Sequence, residues 1–176
     1  MDDQLSALLK QLEASSFLGK SDYYPTDDES AHMRFEYSLR KFVIKNKSPL
    51  YATEIVNEIA FTPDYRVAEW KESVGNQPSQ TFSQEEIESM DRNGILWGQF
   101  LFKDPRCFLR HNLGVEKLEE GVYRVKVWER NLFFKKVTVY VELYVAGGML
   151  KRLRKYSVIN GKEVANQSFG IEFEYP

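Results

Sequence analysis

The residues able to do metal or nucleophilic chemistry are few: His32, His111 and Cys107 in a chain of 176. A structural zinc site needs four Cys or His ligands in paired spacing, which three scattered residues do not supply. The acidic run Asp27-Asp28-Glu29-Ser30 is too short for a calcium loop and lacks its glycine. Neither a phosphate loop nor a dinucleotide fingerprint occurs, and Gly147-Gly148 reads as a turn. No metal and no cofactor is therefore expected. Cys107 and His111 lie on an expected strand, where a four-residue spacing separates them by about 13 Å, beyond hydrogen-bond reach. Three side chains remain for acid–base work in a pocket: Glu142, Asp104 and His111. Glu142 sits between Tyr140 and Tyr144, and its plainer reading is a solvated strand acid paired with a neighbouring cation.

A second group of residues could bind rather than react. The segment Lys151-Arg152-Leu153-Arg154-Lys155-Tyr156 follows a strand of alternating valines, with a turn at Gly148. A three-residue connection there sets Leu143 opposite Leu153, Glu142 opposite Arg154 and Tyr144 opposite Arg152. Opposite charges and cation–aromatic pairs are good cross-strand partners. Lys151 and Lys155 then point to the valine face, so they must snorkel, or the strand must bulge, or that face must open. Arg124, Lys126, Trp128, Tyr140, Tyr144, Arg152 and Arg154 make an expected face of cations and aromatics. Tyr, Trp and Arg are the usual anchors of protein interfaces. The leading expectation is a non-catalytic binding protein that holds a protein partner, or a second copy of itself, on this face. The alternative is a small-ligand or enzymatic pocket between helices and sheet. A further alternative is single-stranded nucleic acid, stacked on the aromatics; a sequence pI near 5.8 speaks against it.

The elements that must position these residues divide the chain in two. A first helix carries Leu5, Leu8, Leu9 and Leu12 on one stripe, capped by Asp3. A polar loop covers 15–29. Residues 31–46 show both a helical stripe (Phe35, Leu39, Phe42, Val43) and strand alternation; the helix is favoured, with Asp27, Asp28 and Ser30 as caps. Ser48-Pro49 and Thr62-Pro63 each look like a capping hydroxyl before a Pro at N1. They predict helices burying Ala52, Ile55, Val56 and Ile59, then Val67, Trp70 and Val74, the second ending at Gly75. Phe82-Ser83-Gln84-Glu85-Glu86-Ile87 is a capping box inside a hydrophobic staple, and its helix ends near Asn93-Gly94.

From Ile95 the period is two, and strands are expected at 95–102, 106–111, 121–130, 135–146, 149–159 and 164–175. Gly147-Gly148 and Asn160-Gly161 serve as hairpin turns. Val137, Val139, Val141, Leu143 and Val145 face one side, and Phe169, Ile171, Phe173 and Tyr175 point inward. The expected fold class is α+β: N-terminal helices packed on a C-terminal curved antiparallel sheet of about five or six strands. In element order this is similar to NTF2-like and cystatin-like cones, or lipocalin-like barrels with helical additions. The likeness is one of architecture only and says nothing of function.

Length and composition fit one domain over 1–176, with 1–94 mainly helical and 95–176 mainly strands. The charge is uneven: −7 over residues 1–102, +8 over 103–162 and −3 over 163–176, within a net −2. The halves therefore attract each other or an oppositely charged partner. A single cysteine forbids an intrachain disulfide and fits a reducing compartment. The acidic start does not read as a secretory leader, no apolar run is long enough to span a membrane, and no membrane is expected among the partners. A cytoplasmic location is expected.

Overall fold

The computed structural model describes residues 1–21, 33–47, 53–164 and 168–176. Twelve strands form one antiparallel sheet: β1 Phe17–Ser21, β2 Arg34–Ser38, β3 Lys41–Lys47, β4 Glu54–Phe61, β5 Val67–Val74, β6 Gln80–Thr81, β7 Gly114–Glu119, β8 Val122–Leu132, β9 Lys135–Ala146, β10 Met149–Ile159, β11 Lys162–Glu163 and β12 Phe169–Glu174. Their order is β6-β5-β4-β3-β2-β1-β12-β10-β9-β8-β7, with β11 paired to β10. The described residues are 53% strand and 23% helix, which overturns the α+β expectation of helices on a sheet of five or six strands.

The error lies between residues 34 and 74. Phe35 and Tyr37 on β2 face Ile44 and Phe42 on β3 across a turn at Leu39-Arg40, and all four are buried. A two-residue turn keeps these four on one face, and the resulting spacing imitates a helical stripe. Leu39, counted in that stripe, is exposed at the tip. On β4 the inward set is Asn57, Ile59 and Phe61. Asn57 interrupts the apolar alternation, and its Oδ1 accepts a 2.8 Å bond from the buried Trp70 indole of β5. Val67, Trp70 and Val74 thus belong to a strand, not a helix. Part of the expected 15–29 loop is β1. His32, the caps Asp27, Asp28 and Ser30, the helix start at Ser48-Pro49, and Ala52 lie outside the described residues.

The expected strands at 95–102 and 106–111 are helical instead. A π-helical turn at Leu96–Phe100 and a 3₁₀ turn at Leu101–Lys103 lead into helix α3, Pro105–Arg110. Asp104 caps α3 and Pro105 stands at N1, the same grammar read upstream but present here.

Other elements form where the sequence places them. Helix α1, Asp3–Ala14, buries Leu5, Leu8, Leu9 and Leu12, with Asp2 rather than Asp3 as its cap. Helix α2, Gln84–Arg92, carries the full Ser83/Glu86 capping box. One core holds these leucines, Ile59 and Trp70 from β4 and β5, and Tyr123, Val125 and Val141 from β8 and β9. The helices pack on the core face of the sheet, α2 against β5 and α3 against β8. Gly19 of β1 lies in a crowded part of this core, where a Cβ would stand 2.9 Å from Ile171 and 3.3 Å from Phe35.

Candidate functional site

The expected face is assembled by β8, β9 and β10. Arg124 lies opposite Glu142 and Lys126 opposite Tyr140 on the β8–β9 ladder. Tyr144 faces Arg152, Glu142 faces Arg154 and Tyr140 faces Tyr156 on the β9–β10 ladder. The three cross-strand pairs expected from sequence therefore form. The device differs: Gly147-Gly148 makes a two-residue turn, and a bulge at Lys151 then restores the register and turns Lys151 to solvent.

Rings, carboxylates or both hold the cations of this face. Arg124 lies 5.2 Å from the Tyr140 centroid and 2.6 Å from Glu116. Arg154 lies 4.5 Å from the Tyr156 centroid and bridges Glu163 at 2.9 Å and Glu142 at 3.6 Å. Arg152 stands 5.9 Å from the Tyr144 ring. Lys126 pairs with Glu129 at 3.2 Å. Tyr140 and Tyr156 stack with centroids 5.7 Å apart, and Tyr144 donates a 2.8 Å bond to Glu142. Burial and the Glu142 bond push the Tyr144 phenol up. The hydrogen bond to Glu116 raises Arg124 further. A groove of about 280 Å³ runs along this face between Leu113, Glu116, Arg124, Lys126 and Tyr140.

Trp128 is not part of the face. A bulge between Lys126 and Trp128 sets Trp128 opposite Val139, on the inner side, where its ring covers Gly94. The acid–base candidates are dispersed. Glu142 belongs to the outer face just described. Asp104 is fully buried and accepts bonds from the Arg106 backbone N–H at 2.9 Å and from its guanidinium at 2.9 and 3.1 Å. His111 ends α3 and donates through Nε2 to the Asp64 carbonyl at 2.7 Å. It lines a groove of about 200 Å³ beside Trp97, Glu88 and Asp91. Cys107 is buried on α3, one helical turn before His111, and burial pushes its thiol up. Among the described residues, no three His, Cys, Asp or Glu side chains converge as metal ligands.

The interior holds two charge clusters that the sequence reading missed. Arg106 reaches from α3 to the Ser38 and Lys41 carbonyls at 2.6 and 3.0 Å, beneath the rings of Tyr37 and Tyr65. Burial opposes its charge, but Asp104 holds it firmly protonated. Lys103 is only 7% exposed. Its Nζ lies 5.3 to 5.6 Å from the rings of Phe100, Phe102 and Phe169. Lys155, on the inner face of β10, lies 4.9 Å from the same Phe102 ring. No carboxylate among the described residues pairs with either. Burial, and then the charge of Lys155, lowers Lys103 to about 8. The sequence signal was Lys155 itself, placed on the valine face by its register.

No protein-family model matches the chain, and no curated protein is detectably similar to it.

Proposed function

We propose that the chain is a non-catalytic binding protein whose β8–β9–β10 face holds a protein partner, a second copy included. The observation that supports this is the row of Arg–Tyr stacks, with carboxylates bridging Arg124 and Arg154. Rotamers fixed before binding lose little entropy on association, and arginine stacked on tyrosine is typical of interface anchors. Glu116, Glu129, Glu142 and Glu163 lie among the cations. A face neutralised in this way suits a mixed-charge protein surface better than a polyanionic nucleic acid. The buried lone thiol of Cys107 suits a reducing, cytoplasmic setting.

The test is a photo-crosslinking residue placed at Tyr144, with one at Leu39 as the control, in the protein expressed in its own cells. The expected result is a defined adduct from position 144 that is lost with Arg152→Glu and Arg154→Glu. An adduct that ignores the charge reversal in a folded variant, or one equally strong from position 39, sinks the reading.

A second reading rests on Lys103 and Lys155. Two cations sharing an aromatic surround without an acid form a site where a small anion would supply the missing charge. Native mass spectrometry of the protein from its own cells would show that anion as a bound small mass. A mass matching the bare chain would remove this reading.

A further inference from the structure

Three hairpins of this sheet end in two-residue turns with both central residues at positive φ. Such turns favour Asn-Gly or Gly-Gly, because side chains with a Cβ rarely adopt that backbone. Two of the three follow the rule: Gly147-Gly148 at φ 59° and 73°, and Asn160-Gly161 at 48° and 80°. The third, between β8 and β9, is Phe133-Phe134 at 49° and 63°. These two rings are 93% and 106% exposed, with Leu132 half-exposed beside them. Phe is thus used where it strains the backbone and covers nothing of its own fold.

The surroundings point to what the tip meets. Residues 130–136 hold Arg130, Lys135 and Lys136 and no acid. All three are exposed. The neighbouring turn docks here, with Asn160 Oδ1 accepting from the Lys136 N–H at 3.0 Å, and brings the exposed Lys162 to the same end of the sheet. The nearby acids are already engaged, Glu129 by Lys126, Lys136 and Thr138, and Glu163 by Arg154. An apolar tip inside a basic collar is complementary to an anionic bilayer surface, where rings enter the acyl boundary and cations meet headgroups. A protruding wedge needs a matching socket on a rigid protein but no preformed shape in a bilayer.

We propose that the Phe133-Phe134 tip is an insertion point through which the protein docks on anionic membrane surfaces. The contact is peripheral, since no described helix is long and apolar enough to cross a membrane. It uses the end of the sheet and is independent of the partner face.

The experiment is co-sedimentation of the full chain with vesicles of phosphatidylcholine alone, or of equal parts phosphatidylcholine and phosphatidylserine. Binding to the mixed vesicles alone is expected, with loss in high salt. Replacing Lys135 and Lys136 by Ser should weaken partitioning roughly 30-fold. Phe133→Asn with Phe134→Gly should weaken it about 100-fold. This last variant has the turn residues the backbone prefers, so it should melt higher than wild type, and lost binding could not be blamed on unfolding. The proposal is overturned if wild type ignores the mixed vesicles, or if the Asn-Gly variant binds them as well as wild type does. Self-association of wild type that vanishes in that variant, without vesicle binding, would also overturn it and give the tip to a protein socket.

Discussion

Lys103 and Arg106 stand three residues apart, both buried and both charged, yet their surroundings are opposite. Arg106 has a bidentate carboxylate and two backbone carbonyls. Lys103 has three rings and a second lysine. Burial works against charge in both places, but only Asp104 answers it. Arg106 consequently ties the 101–110 segment to the β2–β3 hairpin, whereas Lys103 stores unfavourable free energy in the core. A completed ion pair belongs to the scaffold; an incomplete one is where a ligand would gain most.

Four measurements would break or sharpen this contrast. Arg106→Ala strands a buried carboxylate and two carbonyls, so urea unfolding should show a loss of about 3–5 kcal/mol. A much smaller loss would make the pair decorative. Lys103→Met goes the other way, removing a charge whose titration falls from 10.5 to about 8. It should stabilise the fold by up to about 3 kcal/mol at neutral pH; destabilisation would reveal a counter-charge. Because the folded state binds the Lys103 proton less tightly than the unfolded state, raising the pH through 8 relieves the penalty. Wild type should gain about 2 kcal/mol relative to Lys103→Met between about pH 7 and 9.5, read by parallel denaturation curves. A flat difference would show that the ammonium is solvated. The smallest effect belongs to the exposed Arg124–Glu116 bridge, where Glu116→Gln should change stability by less than about 1 kcal/mol. A larger change in the melting curve would show that the outer face serves stability as well as binding.

The sequence displayed some of this architecture and concealed the rest, for identifiable reasons. The Leu5–Leu12 stripe and the Ser83–Glu86 box are local signals, and both helices formed. The β9–β10 ladder was legible because valine alternation and the glycine pair at 147–148 set its cross-strand pairs. The β2–β5 meander was hidden by the spacing across the Leu39-Arg40 turn and by Asn57 on the inner face. The helical 96–110 segment was read as strands because its apolar run has no clear period, although Asp104-Pro105 marked a helix start. Of the candidate site, six of seven face residues share the outer side. Trp128 left it through a bulge that no local pattern marks. The Phe133-Phe134 tip was visible as letters, but its strain and exposure depend on knowing that a turn falls there.

The pairing of β1 with β12 has a consequence for how the protein is made. During synthesis β1 leaves the ribosome about 150 residues ahead of the strand that covers one of its edges. At about 5–20 residues per second, that edge waits roughly seven to thirty seconds. The nascent β1–β5 meander therefore carries an unpaired strand border, open to other chains or to a chaperone, until Phe169–Glu174 arrives to close it.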